Sequence, residues 1–312
     1  MNASRYSTHF TLIGMAALWG ASWPWGRIVA QSMPPLAAAS MRFVLASVVL
    51  VLWLYRSGRV AELRTLSLRQ WTGLTCAAAV GVLGYSIFFL LALKTVPAGK
   101  AAMVVALNPV LTMLFAVLLF REFVNAVMCL GIALAVSGAL YALSGGSFLA
   151  MQPTSVGVGE LLLLGCAGCW VAYTLIGRLI LATVDSLTTT TVTAILGALL
   201  LLVASVGVEG PTAWVELIHA PQQAWYSITA LAFGATALAY AWYLNGVKVL
   251  GAGVAAAYMS LVPLFGLLFS GIWLGEALTT SLLAGGVIAV VGMLLIHIGR
   301  IRLHNSHKLK SA

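Results

Sequence analysis

The sequence predicts an all-α integral membrane protein. Ten transmembrane helices form two five-helix repeats of inverted topology, with both termini on the cytoplasmic side. Three observations carry this. Of the 312 residues, 62% are hydrophobic and 7% charged, and mean hydropathy is +1.06. A soluble domain carries about 25% charged residues, so this chain has too little polar surface to face water. Its length is spent on spans rather than on separate soluble domains. Ten apolar stretches approach the ~20 residues that cross a hydrocarbon core. Finally, PAGKAAMVVALNPVLTMLFAVLLFRE (97–122) and GAGVAAAYMSLVPLFGLLFSGIWLGE (251–276) align at a constant offset of 154.

The first stretch, 10–30, lacks a small-residue cleavage site and is followed by many others, so it reads as a span rather than a removed leader. The second, 35–55, carries Arg42 and ends at the basic segment 56–70. The third, 71–93, and fourth, 97–120, are separated by a short joint, which makes them an antiparallel hairpin. The fifth, 123–143, carries Gly131 and Gly138. The second half follows as 156–177, 186–207, 224–246, 252–273 and 278–298. The expected division is a first repeat at 10–143, a second at 156–298 and a basic cytoplasmic tail at 299–312.

Orientation follows from Lys and Arg. Numbering span ends alternately, the N-terminal side collects Arg5, Arg56, Arg59, Arg64, Arg69, Arg121, Arg178, Lys248, Arg300, Arg302, Lys308 and Lys310. The other side collects only Arg27, Lys94 and Lys100. That bias places both termini in the cytoplasm. It also accounts for the net charge of +9 without nucleic acid.

At offset 154, Lys94 falls on Lys248, Gly99 on Gly253, Pro109 on Pro263 and Glu122 on Glu276, and Gly131 and Gly138 fall on Gly285 and Gly292. At offset 151, Trp19, Gly26 and Arg27 fall on Trp170, Gly177 and Arg178. Equivalent segments are five spans apart, an odd number, so the second copy enters the membrane upside down. Inverted repeats are typical of secondary transporters, with substrate held near the midplane.

These features resemble the EamA type of the drug/metabolite transporter superfamily. The resemblance rests on the start of spans four and nine, on Pro109 and Pro263, and on L-F-R-E and W-L-G-E closing those spans. The glycines of spans five and ten, Arg42-Phe43 and the L-W-G of span one also fit. It covers 12–298. It implies a proton- or gradient-linked exporter of amino acids, metabolites or drugs in a bacterial inner membrane, with YddG-type aromatic amino-acid exporters the nearest subgroup. Val262 stands opposite Asn108 and Val254 opposite Lys100, so any site is asymmetric.

The residues themselves offer several candidates. Pro109 and Pro263 lack the N–H that would bond the carbonyls of Val105 and Met259. They read as hinges, or equally as packed kinks. Trp19 and Trp23 share a face of span one, Tyr85 and Phe89 of span three, Trp170 and Tyr173 of span six, and Tyr240 and Tyr243 of span eight. Tyr258 lies one turn before Pro263. Trp53, Trp71, Trp214, Trp225 and Trp273 suit an interfacial belt instead. Deeper aromatic rings suit an amphipathic substrate in a central cavity. Ser22, Ser86, Asn108, Thr236 and Ser260 are available to hydrogen-bond it, or to bond a neighbouring helix. Arg42 reads as a carboxylate attractor or, more readily, as a structural snorkelling charge. Lys100 and Glu160 lie just inside outer span ends, as a gate or as headgroup contacts.

No carboxylate or histidine is placed at the midplane, which predicts facilitated or weakly proton-coupled export. The expected cargo is an aromatic or hydrophobic amino acid. Cationic drugs and nucleotide-linked sugars are the alternatives. A membrane enzyme is disfavoured, because His9, His219, His297, His304 and His307 sit near span ends or outside them. No catalytic residue, cofactor or metal is expected, and Cys166 and Cys169 read as small packing residues. The expected partners are a small-molecule substrate and lipid, with the chain a monomer or weak homodimer.

Overall fold

The computed structural model describes residues 2–105, 107–120, 124–146, 157–250 and 252–311. Among them all regular structure is helical: α1 (Asn2–Ser32), α2 (Pro35–Arg56), α3 (Leu68–Thr95), α4 (Ala98–Val105), α5 (Asn108–Phe120), α6 (Ala126–Leu143), α7 (Val158–Ile180), α8 (Ser186–Glu209), α9 (Thr212–Ile218), α10 (Gln222–Leu250), α11 (Ala252–Tyr258), α12 (Val262–Leu274) and α13 (Thr280–Ser311). The described parts of the predicted stretches fall largely on these helices. Seven of them (α2, α3, α6, α7, α8, α10 and α13) are long and apolar enough to cross a membrane. The segment 60–65 is a short 3₁₀ helix rather than a plain loop. The basic tail continues α13 instead of leaving it.

Local sequence sets the boundaries. Proline opens α2, where its missing N–H costs nothing. Ser67 and Gln70 form a capping box on α3, and the Asn125 side chain accepts from Met128 N–H to cap α6. Gly275, at φ 65°, closes α12 in the left-handed conformation that glycine adopts without strain.

In 252–274 the α-helix tightens to a 3₁₀ turn and returns just before its proline. α4 is described to Val105 and α5 from Asn108, with Pro109 second. α11 stops at Tyr258, a 3₁₀ turn covers Met259–Leu261, and α12 restarts at Val262 with Pro263 second. Proline cannot donate within a helix but fits its first turn, so α12 begins where its proline sits. The bounds of α5 and α12 differ by 154 at both ends. Helices α3 and α10 carry π-helical segments at Ala79–Gly84 and Ala230–Leu238. Adding 154 to the first places it within the second.

Two compact units emerge, and each draws on both halves of the sequence. One comprises residues 1–24, 97–157 and 238–312. In it α6 and α13 run antiparallel along a glycine seam. An ideal Cβ on Gly131 would lie 2.6 Å from Gly292 O, and one on Gly138 would lie 2.7 Å from Gly285 O. The contact is reciprocal: each residue of an equivalent pair touches the other pair's opposite member, as a two-fold relation requires. Only glycine lets the backbones approach this closely. Near the start of α1, Gly14 stands against Trp242 and Gly246 against Leu12.

The other unit comprises 25–96 and 158–237. Here α2 and α8 are antiparallel. Ser40 Oγ donates to Ala198 O at 3.2 Å, and Leu50 and Leu54 pack with Leu187 and Ala194. Helices α3 and α7 are antiparallel too, with Gly81 against Tyr173 and Gly165 against Phe88. The Gly165–Phe88 contact becomes Gly14–Trp242 in the first unit on subtracting 151 and adding 154 respectively. The same internal packing is therefore written twice.

Candidate functional site

Each unit holds an aromatic cluster built from equivalent helices, and the first unit also stacks Phe265, Phe269 and Trp273 along α12. In the second unit Tyr85 of α3 stacks on Phe89 at 5.8 Å and 16°, and meets Trp170 of α7 at 5.9 Å and 55°. Trp170 in turn lies 6.2 Å from Tyr173. In the first unit Trp19 of α1 meets Tyr240 of α10 edge-on at 5.4 Å and Tyr243 at 5.6 Å. Trp19 and Trp170 are equivalent, and Tyr85 and Tyr240 differ by 155, one residue from the repeat offset. All residues of the two equivalent clusters except buried Phe89 are half-buried.

Other candidates are placed differently. Trp23 is buried and stands against Gly266, so it packs the core. Tyr258 bonds His9, with Oη 2.6 Å from Nδ1. This partner comes from a residue that spacing placed near a span end. Ser22 returns its hydroxyl to Trp19 O. Ser260 is buried in the 3₁₀ turn between α11 and α12. Asn108, at the start of α5, is 4% exposed, and its Oδ1 accepts no hydrogen bond. Pro263 is buried at the restart of α12, whereas the side chain of Pro109 lies outside the described residues, as does all of Glu122. Lys100 and Glu160 are half-buried, each near a helix start.

Arg42 is held in the second unit. Its Nη2 donates to Thr236 Oγ1 at 3.2 Å, and its guanidinium lies 5.1 Å over the Phe43 ring. Thr236 in turn donates to Leu231 O at 2.9 Å, five residues back, within the π-helical segment. Its proton thus points into the helix and its lone pair toward Arg42. A small void of about 10 Å³, room for a single water, adjoins Arg42, Ser86 and Phe89. Arg27, also half-buried, donates to Leu93 O at 3.3 Å and to Val96 O, closing the end of α3.

Glu122 and Glu276 were legible as span-closing residues and Glu160 as a gate or headgroup contact; the structure makes Glu276 and Glu209 bidentate caps. Glu276 accepts from Ala98 N (2.7 Å) and Gly99 N (2.9 Å) at the start of α4. Glu209 accepts from Leu36 N (2.8 Å) and Ala37 N (2.9 Å) at the start of α2. Asp185 caps α8 and pairs with Arg59. Burial raises its pKa, but the Arg59 guanidinium and the N–H groups of Thr188 and Leu187 outweigh this and hold it below the ordinary carboxylate value. Among the described residues no three His, Cys, Asp or Glu side chains gather to hold a metal. Cys166 is buried and Cys169 lies against Gly84, a packing position.

With this geometry established, likeness to known proteins is informative. The sequence profile of the EamA-like transporter family matches twice, at 7–144 and 157–298. A Bacillus subtilis protein named uncharacterized transporter YyaM is 27% identical over 92% of both chains. A Salmonella typhimurium protein named a probable amino-acid metabolite efflux pump is 27% identical, covering 91% of this chain and 92% of its own. A crystal structure with 24% sequence identity superposes with a TM-score of 0.65, covering 94% of this chain and 98% of its own. That likeness speaks to the fold alone. The double match spans nearly the whole sequence, and the chain belongs to the EamA-like transporter family.

Proposed function

We propose that this multi-pass membrane transporter exports small amphipathic metabolites, foremost aromatic and hydrophobic amino acids, by alternating access. The observation that carries the reading is the pair of aromatic clusters, Trp19–Tyr240–Tyr243 and Tyr85–Trp170–Tyr173, repeated on equivalent helices. Half-buried rings with O–H or N–H handles suit cargo that is apolar at one end and polar at the other. The 3₁₀ turn at Met259–Leu261 before Pro263, and Pro109 at the equivalent position, favour irregular helices of the kind on which such sites are built. Antiparallel packing of equivalent helices favours two inverted five-helix halves. One Salmonella relative is named for amino-acid metabolite efflux, which agrees with this cargo.

The lysine and arginine bias favours cytoplasmic termini in a bacterial inner membrane. Cationic drugs would call for a carboxylate at depth. The described acidic residues, Glu62, Glu160, Asp185, Glu209, Glu216 and Glu276, all lie at helix ends or on short flanking helices. The same placement favours facilitated or weakly coupled export over a proton-driven pump.

Counterflow in proteoliposomes tests the reading. Vesicles loaded with unlabelled phenylalanine should transiently accumulate labelled phenylalanine, tryptophan or leucine. Trp19→Ala and Trp170→Ala should raise the half-saturating concentration. No counterflow with any apolar amino acid, alongside counterflow of another solute class, would overturn it.

A further inference from the structure

We propose that an open cleft at the outer end of the second unit holds the zwitterionic head of a free amino acid, with Lys94 receiving its carboxylate and Glu216 its ammonium. The cleft, about 730 Å³, lies between the ends of α1, α3 and α8 and the short helix α9, on the side that the lysine and arginine bias leaves outside. That the amino acid is also the cargo rests on the transport reading above; the head site rests on the cleft and its charges.

The repeat gives the first indication. Glu62-Leu63 and Trp71 fall on Glu216-Leu217 and Trp225 at offset 154, so α9 is the counterpart of the 3₁₀ helix at 60–65. At the opposite end of the same unit the chain closes on itself. Glu62 accepts from Thr188 Oγ1 at 2.9 Å and lies 3.8 Å from Arg59 Nε, and Arg59 pairs with Asp185. In the outer copy these partners are trimmed away. Ala213 stands at the position of Arg59 and, at offset 151, Ala37 at that of Thr188 and Pro34 at that of Asp185. Ala213 and Pro34 border the cleft where the other end of the unit has an ion pair.

Opposite charges then face one space without meeting. Lys94 and Glu216 both line the cleft and are both exposed, yet among the described residues no ion pair joins either of them. Glu209, the third charged group of the lining, is already engaged. Its two oxygens accept from Leu36 N and Ala37 N, and the positive end of the α2 dipole offsets its charge. The space therefore presents one cation and one anion. A divalent metal ion is repelled by Lys94 and a phosphate by Glu216, whereas an α-amino acid carries one charge of each sign. Two charge-assisted bonds formed together also orient such a head.

Met33 and Pro35 add apolar wall for the side chain. The volume lies within the range of small-molecule sites, about 300–1,000 Å³, and admits a side chain as large as that of phenylalanine. Placed at the outer end, the site fills according to the external amino-acid concentration.

The test is thermal unfolding of the detergent-purified protein with phenylalanine, phenethylamine (no carboxylate), phenylacetate (no ammonium) or phosphoethanolamine (a lipid-type zwitterion) at matched ionic strength. Phenylalanine should raise the midpoint most, and phosphoethanolamine should not raise it. Lys94→Gln and Glu216→Gln, both at exposed positions, should each weaken the apparent phenylalanine affinity about two- to fivefold. The ligands separate recognition from a structural effect: Lys94→Gln should leave the phenethylamine response unchanged, and Glu216→Gln the phenylacetate response. No stabilisation by phenylalanine, unchanged phenylalanine affinity in both variants, an equal fall for every ligand, or equal stabilisation by phosphoethanolamine would overturn the proposal. Phenylalanine counterflow separates the two claims. Its absence with the charge-dependent binding intact removes the transport reading and leaves the cleft. Its presence with phenylalanine affinity unchanged in both variants removes the cleft and leaves transport.

Discussion

Alanine at Gly292 should open the α6–α13 seam. Its Cβ would run into Ala135 N and lie 2.6 Å from Gly131 O. Both are backbone atoms, which cannot swing aside as a flexible side chain would. Restoring ordinary contact requires the helices to separate by about 1 Å, and a gap of that order forfeits roughly a quarter to a half of each dispersion contact along the seam. Overpacking of this kind costs about 1–3 kcal/mol, offset by up to ~1 kcal/mol of helix propensity gained over glycine. The net loss, about 1–2 kcal/mol, corresponds to a fall in unfolding midpoint of roughly 2–8 °C. Scanning fluorimetry in detergent reads it. Gly168→Ala is the control, because no heavy atom lies within 4 Å of its Cβ position; its midpoint should hold or rise. Gly131→Ala, Gly138→Ala and Gly285→Ala should match Gly292→Ala. The Gly131→Ala/Gly292→Ala double variant should lose less than the sum, since both substitutions open the same seam. An unchanged midpoint for Gly292→Ala, or equal effects at Gly168, would refute the reasoning.

Three further outcomes are expected. Glu276→Gln leaves one acceptor oxygen for two N–H groups at the start of α4, and Glu209→Gln does the same for α2; each should lower stability by about 0.5–2 kcal/mol, seen as a lower unfolding midpoint. Pro263→Ala restores a donor at the 3₁₀ turn before α12. Membrane insertion and expression should persist while counterflow slows, and unchanged turnover would remove the hinge. Asp185 titrates below its unfolded value, so its contribution is present above the ordinary carboxylate range and lost as pH falls through the depressed folded value. The midpoint of the wild type should therefore drop more steeply below about pH 4 than that of Asp185→Asn, which is less stable at neutral pH.

The repeat was legible because a few residues cannot be exchanged freely inside an apolar helix. Pro109 and Pro263 stand second in α5 and α12, and Gly131, Gly138, Gly285 and Gly292 mark where two backbones touch. Register alone revealed them. The aromatic pairs were legible along each helix, because ring spacing at i, i+3 or i, i+4 shows a shared face. Which helix they meet was not, since Trp170–Tyr85 and Trp19–Tyr240 depend on tertiary packing. Trp23 shared its face with Trp19 but went to the core, because Gly266 leaves room for it there. The π-helical segments left no periodic signal, and with them the Thr236–Leu231 bond and the seating of Arg42 went unseen. Glu209 and Glu276 gave no hint of reaching helix starts far away in sequence, because a cap at long range has no local pattern.

Sidedness of equivalent positions tests the inverted duplication most directly. Val124 and Leu278 differ by the repeat offset of 154 and are both exposed at the ends of their spans. On a cysteine-free background, Leu278→Cys should react with a membrane-impermeant maleimide added to intact cells, and Val124→Cys should react only once the cytoplasmic face is opened. Labelling of both positions from the same side would contradict the account.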